Sequence, residues 1–184
     1  MARVLPLGHV GITTGIVHAL DRRADLRLVT VVALLPDLVD KPIRFLLPSI
    51  ANGWTRNVGH SLASLTFFTA VVLAVRRKRA WPLVLAYALH FVLDRMWEPG
   101  NYTVLFWPFS GFFLPRHFPE SLEIHVFEDL WDLAGEVLGL LIALVLVSRG
   151  RLWRPERLKA FLRTGVLGTP SAESSSQGST AVSG

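Results

Sequence analysis

The chain has 184 residues, 51% of them hydrophobic, with a formal net charge of +5 and a mean hydropathy of +0.43, more apolar than a soluble domain of this length needs. It contains no cysteine, which excludes disulfides, zinc ribbons and thiol chemistry and leaves His, Asp, Glu and backbone oxygen to hold any metal. Its Lys and Arg residues cluster between apolar runs, which fits anchoring at lipid head groups better than specific nucleic-acid binding.

Residues 5–20 form a mildly apolar first helix whose Gly, Thr and His content suits packing against other helices rather than facing lipid. Its weak basic flank and lack of a small-x-small cleavage site argue against a signal peptide. After a charged turn at 21–27, a second apolar run extends from Leu28 to Val39, and Pro36, Asp37, Asp40 and Pro42 are expected to terminate it. Residues 41–57 read as an irregular connection with a short interfacial helix around Ile43 to Leu47. A third helix starts at Gly59-His60-Ser61 and runs to the cluster Arg76-Arg77-Lys78-Arg79. Trp81-Pro82 opens a fourth, with Pro tolerated in its first turn.

Near the far end of that fourth helix, His90 and Asp94 are four apart and so share one face, an imidazole beside a carboxylate. Polar groups in an apolar helix need partners. The connection 97–124 is rich in aromatics and prolines, as functional or interfacial loops often are. A fifth helix runs from about His125 to Ser148, and a basic amphipathic segment continues to about Leu167. Residues 168–184 are a Ser/Gly-rich tail, too polar to stay ordered. The expected fold is all-α: a multi-pass helical membrane bundle of about five helices with a polar site at one end, residues 1–167 forming the domain. The apolar runs fall short of the roughly 20 residues of a full span, so a soluble, very apolar helical domain is the alternative.

Threading five helices back and forth through a bilayer puts 21–27, 76–80 and the segment after 148 on one side. Thirteen of the 19 basic residues gather there, which makes that side cytoplasmic by the positive-inside rule. His9, Asp37, Asp40, His60, His90, Asp94, His125 and Asp129 all fall at the opposite, extracytoplasmic ends of their helices. His18 lies on another face of the first helix near the cytoplasmic end and reads as structural, and His117 as solvated. Imidazole nitrogens and carboxylate oxygens are the donor set of hydrolytic zinc, manganese or iron sites. The plainer reading of each residue is a buried packing pair or a helix cap.

At these residues the sequence resembles the YdjM-type membrane-bound metal-dependent hydrolases, a family of unknown function. The motifs are LLPDLVD (34–40), RNVGHSL (56–62), LHFVLDRMWEP (89–99) followed by LFWPFSG (105–111), and the early Gly8-His9. They occur in the family's order. LLPDLVD departs from the usual Leu-Pro-Asp-x-Asp-His, with Asp40 one place later and Lys41 in place of the His. The resemblance implies a remote likeness to zinc-dependent phospholipase C and P1 nuclease, all-helical enzymes with His-x-x-x-Asp pairs in a multinuclear site.

Together these readings give an integral inner-membrane, metal-dependent hydrolase of a lipid-type phosphoester. His9, Asp37, Asp40, His60, His90 and Asp94, with His125 and Asp129, would hold one or two divalent ions, zinc first and Mn or Fe next. Asp40 and Asp94 are the candidate catalytic carboxylates, Asp40 as general base. Arg56, Arg95 and Trp107 are candidates for substrate contact, against surface ion pairing for the arginines and an interfacial aromatic belt for the tryptophan. The competing reading is a non-catalytic membrane scaffold with a structural metal or a polar packing network, and a third is ion transport.

Overall fold

The computed structural model describes residues 6–46, 56–111 and 130–168, and every regular element among them is helical. The first helix, α1 (Pro6–Leu20), carries Gly8, Gly11 and Gly15 along its length, residues that weaken an isolated helix. Here they serve contact with α7 (Leu130–Gly150). A Cβ on Gly11 would stand 1.9 Å from the Gly139 carbonyl oxygen, and one on Gly139 would stand 2.6 Å from Gly8 Cα. The two backbones therefore touch, as small residues allow between helices in lipid. Gly8 meets the level of Glu136 and Gly139, and Gly15 that of Ile142, so the two helices run parallel. Glu136 Oε1 accepts the Gly8 N–H at 2.8 Å, satisfying one of the donors that a helix N-terminus leaves without an internal partner.

After the turn, α2 (Leu26–Ala33) begins at Asp25, whose carboxylate accepts the N–H groups of Arg27 and Leu28 at 3.1 and 3.4 Å. The run expected from Leu28 to Val39 divides at Leu34, and LPDLVD opens a new helix, α3 (Leu35–Leu46), instead of ending the old one. Pro36 falls in its first turn, where a missing N–H costs nothing, and the helix continues through Pro42. The irregular start expected for 41–57 is thus helical as far as Leu46.

A 3-10 turn, Val58–His60, leads to α4 (Leu62–Arg76), capped by Ser61, which accepts the Ser64 N–H at 3.1 Å. Next come α5 (Trp81–Leu93), a single turn α6 (Tyr102–Leu105), then α7, and α8 (Pro155–Thr164). The core lies among α1, α2 and α5, built from Val17, Leu26, Val29, Ala86, Tyr87 and Phe91, with Leu167 added from beyond α8. Gly165, at φ +72°, ends α8 against Asp25 and accepts the Leu26 N–H at 2.8 Å. A side chain there would collide with the Asp25 carboxylate, so only glycine fits.

Among the described residues one stretch, Asp132–Gly150, is long and apolar enough to cross a membrane. The apolar helices α4 and α5 have 15 and 13 residues, about 22 and 20 Å at a rise of about 1.5 Å per residue, short of the ~30 Å hydrocarbon thickness. Of the five expected spans, one is matched among the described residues by a helix of crossing length, within an all-helical body.

Candidate metal centre

Four elements bring a polar cluster to one end of the molecule. His9 comes from the first turns of α1, Asp37 and Asp40 from α3, His60 from the 3-10 turn, His90 from the last turn of α5, and Asp94 from the cap of that helix. His9, Asp40, His60, His90 and Asp94 are buried, and Asp37 is the partly exposed member, its side chain 24% accessible. The His125 and Asp129 expected here lie outside the described residues.

The two central imidazoles are fixed by what stands behind them. His60 Nδ1 lies 2.6 Å from Asp40 Oδ2, and a carboxylate can only accept, so Nδ1 carries the proton. Asp40 in turn accepts the Asn57 and Gly59 N–H groups at 2.6 and 2.8 Å. Gly59 is needed for this approach, because a Cβ there would lie 2.6 Å from the Pro36 carbonyl oxygen and 3.0 Å from Asp40 Oδ1. Tyr87 Oη holds the same loop by donating to the Gly59 carbonyl at 2.8 Å. His90 Nδ1 donates to the Ala33 carbonyl at 2.7 Å, an oxygen at the end of α2 where helical donors run out.

Both Nε2 atoms are left with lone pairs, and they face each other at 3.0 Å. Asp94 Oδ2 stands 3.0 Å from His60 Nε2 and 3.6 Å from His90 Nε2. Asp37 Oδ1 is 3.7 Å from His60 Nε2, and His9 Nε2 is 3.4 Å from Asp94 Oδ1. Lone pairs this close repel unless a positive charge lies among them. A second proton on His60 would supply it, and so would a metal ion. Donors about 2.0–2.1 Å from a tetrahedral zinc stand about 3.3–3.4 Å from one another, within the range of separations found here. Two groups, His9/His90/Asp94 and Asp37/His60/His90, each have their donor atoms within 4.8 Å of one another. They share His90 Nε2, whose single lone pair serves one ion. The residues present therefore fit a divalent ion, with Asp40 and the Ala33 carbonyl as the outer partners that orient metal-binding histidines.

A fixed cation stands at the same place. Arg56, buried, directs Nε to Asp94 Oδ2 at 2.8 Å and Nη1 to Asn101 Oδ1 at 3.4 Å. Burial opposes charge on Asp94, but the Arg56 guanidinium and the contacts with His60 and His9 hold its carboxyl well below the usual carboxylate range. The structure places Asp40 behind His60 with both oxygens engaged. Asp37 instead divides its carboxylate between the cluster and Lys41 Nζ, 3.0 Å away. Arg95, at φ +53°, pairs with Glu98, and Trp107 packs against the hydrophobic core.

Sequence reasoning overlooked the Ala33 carbonyl and the Asn57 and Gly59 N–H groups, since backbone groups carry no residue signature, and Asn101, whose side chain meets Arg56 from 45 residues away. Nor does the sequence mark Glu136 as the cap of α1 that the structure shows it to be. A comparison with curated proteins found no match, and one with solved structures found none either. The family model described as YdjM inner membrane protein matches residues 4–166, and the chain belongs to that family.

Proposed function

We propose that this protein is a membrane-bound, metal-dependent hydrolase of a phosphoester of the lipid head-group type. The observation that carries the reading is the pair of Nε2 lone pairs facing each other at 3.0 Å, with both Nδ1 protons committed elsewhere. His60 and His90 would hold a divalent ion, zinc first and manganese or iron next, with Asp94 and either His9 or Asp37 completing the set. Such an ion supplies Lewis acidity and a water activated near neutral pH.

The remaining roles belong to the chain's own residues. Asp40 and the Ala33 carbonyl hold the two rings in their tautomers. Arg56 offers a buried positive charge beside Asp94, where an anionic phosphate group can be drawn in and its developing charge balanced. Asp40 has no oxygen to spare, so with His9 completing the ligand set the general-base role passes to Asp37, whose Oδ1 faces the cluster from its partly exposed edge. That edge is also the route for water and substrate. The charge asymmetry of the sequence puts this end on the extracytoplasmic side of the inner membrane and the C-terminal tail in the cytoplasm.

The near-complete burial of His9, His60, His90 and Asp94 favours a second reading, a closed structural metal in a non-catalytic membrane protein. Metal analysis of the detergent-purified protein, with His90→Ala and Asp94→Ala alongside, separates these readings when coupled to a phosphodiester and phospholipid hydrolysis screen. Stoichiometric metal retained in both variants would sink the site. Metal lost in the variants with no hydrolysis by the parent protein would leave the structural reading.

A further inference from the structure

The opposite end of the molecule carries a second organised surface. The crossing-length stretch of α7 ends at Gly150 and α8 begins at Pro155, so α8 lies within a few residues of the end of a span, at head-group depth. Its inner side is fixed to the body. Phe161 packs against the core, the Leu26 N–H donates to the Gly165 carbonyl, and the Arg27 guanidinium donates to the Leu162 carbonyl. The outer side is thereby defined. Leu158 and Leu162, four apart, form an apolar row, and Lys159 and Arg163, also four apart, form a basic row beside it. Leu162 is 57% exposed, and Trp153, in the turn before α8, is 63% exposed.

A leucine row, a neighbouring tryptophan and an adjoining basic row at this depth have the character of a helix lying in a bilayer interface. Exposed Arg149, Arg151 and Arg154 add to the positive charge of this end, and Glu156 is the single acidic residue of α8. Charge complementarity therefore selects the anionic component of a membrane. We propose that α8 is a docking surface for anionic phospholipid head groups. Leu158, Leu162 and Trp153 sink to the acyl boundary while Lys159, Arg163 and Arg154 take the head-group phosphates. This surface is separate from the metal centre and does not depend on its chemistry.

The chain has no cysteine, so Leu158→Cys gives the full-length protein one attachment point for an environment-sensitive fluorophore on an exposed position. The labelled protein is reconstituted into vesicles of phosphatidylcholine and phosphatidylglycerol, with bromine on one lipid or the other. Each basic residue near an anionic surface gives about a fivefold preference. Brominated phosphatidylglycerol is therefore expected to quench the label several-fold more strongly than brominated phosphatidylcholine. Adding Lys159→Gln and Arg163→Gln, with unchanged thermal unfolding, should remove most of that difference. Equal quenching by the two lipids overturns the proposal. So does a label open to aqueous iodide, or one shielded from iodide and quenched by neither lipid, which would mean that a protein surface covers the row.

Discussion

Replacing Asp40 by asparagine tests the support behind His60 without touching a donor of the cluster. The carboxylate is fully buried and accepts three hydrogen bonds, from Asn57 N, Gly59 N and His60 Nδ1. An amide has the same shape, but its NH2 must point at one of these donors. At least one charged hydrogen bond is lost, about 1.5–3 kcal/mol, and a buried donor is left unsatisfied, about 1–3 kcal/mol. Asp40→Asn should therefore cost the metal-free protein about 3–5 kcal/mol in denaturant or thermal unfolding. His60 also loses the partner that fixes its tautomer. Loss of such an outer partner typically lowers metal affinity about 10–100-fold, whereas His60→Ala, which removes the donor itself, should abolish stoichiometric binding. Zinc competition against a chelator in detergent reads both numbers. Affinity of Asp40→Asn within about twofold of the parent, or unfolding unchanged, would refute the reasoning.

Gly11→Leu should separate α1 from α7, because the obstacle is the Gly139 backbone and not a movable side chain. A loss of about 1–3 kcal/mol or more is expected, while Gly100→Ala, with open space around it, should leave thermal unfolding unchanged. Arg56→Gln should keep or tighten zinc binding, since Asp94 Oδ2 is no longer shared with a guanidinium. Phosphoester hydrolysis should nevertheless fall about 10²–10³-fold, and a parallel loss of metal would contradict this assignment. Asp25 has its pKa lowered, chiefly by the hydrogen bond from Arg27 against a desolvation that raises it. The stability it contributes is therefore fully present above its ordinary value and fades as pH falls through the depressed one. Asp25→Ala should cost about 1 kcal/mol of capping near neutral pH, and melting curves should show the gap to the parent narrowing in acid.

Much of the site was legible because it depends on helix phase and chain direction. His90 and Asp94 share a face at a spacing of four, and alternating helix directions puts His9, Asp37, Asp40 and His60 at the same end. The structure brings these residues together. What escaped depends on contacts with no local mark. Arg56 reaches Asp94 across 38 residues, and nothing around either residue announces the other. The fate of Asp40 was hidden because a carboxylate facing two backbone N–H groups looks, in sequence, like one facing a metal. The fold was misread where proline was taken only as a terminator. Pro36 opens α3, since a first turn needs no donor at that position. The helix lengths were misread too, because polar ends counted as parts of spans belong to caps and turns, such as Ser61 before α4 and Asp94 after α5.

The glycine seam between α1 and α7 also sets an order of events during synthesis. Gly8 and its capping partner Glu136 are 128 residues apart. At about 5–20 residues per second, the ribosome needs roughly 6–26 s to cover that gap. Throughout this interval α1 waits with its small-residue face uncovered and the Gly8 N–H uncapped. The residues of the metal centre all precede residue 95, so they are complete long before the last long helix covers this face. A chain arrested before residue 130 would expose a glycine-lined groove in a nascent membrane protein, a feature that quality-control proteases could use to tell unfinished copies from finished ones.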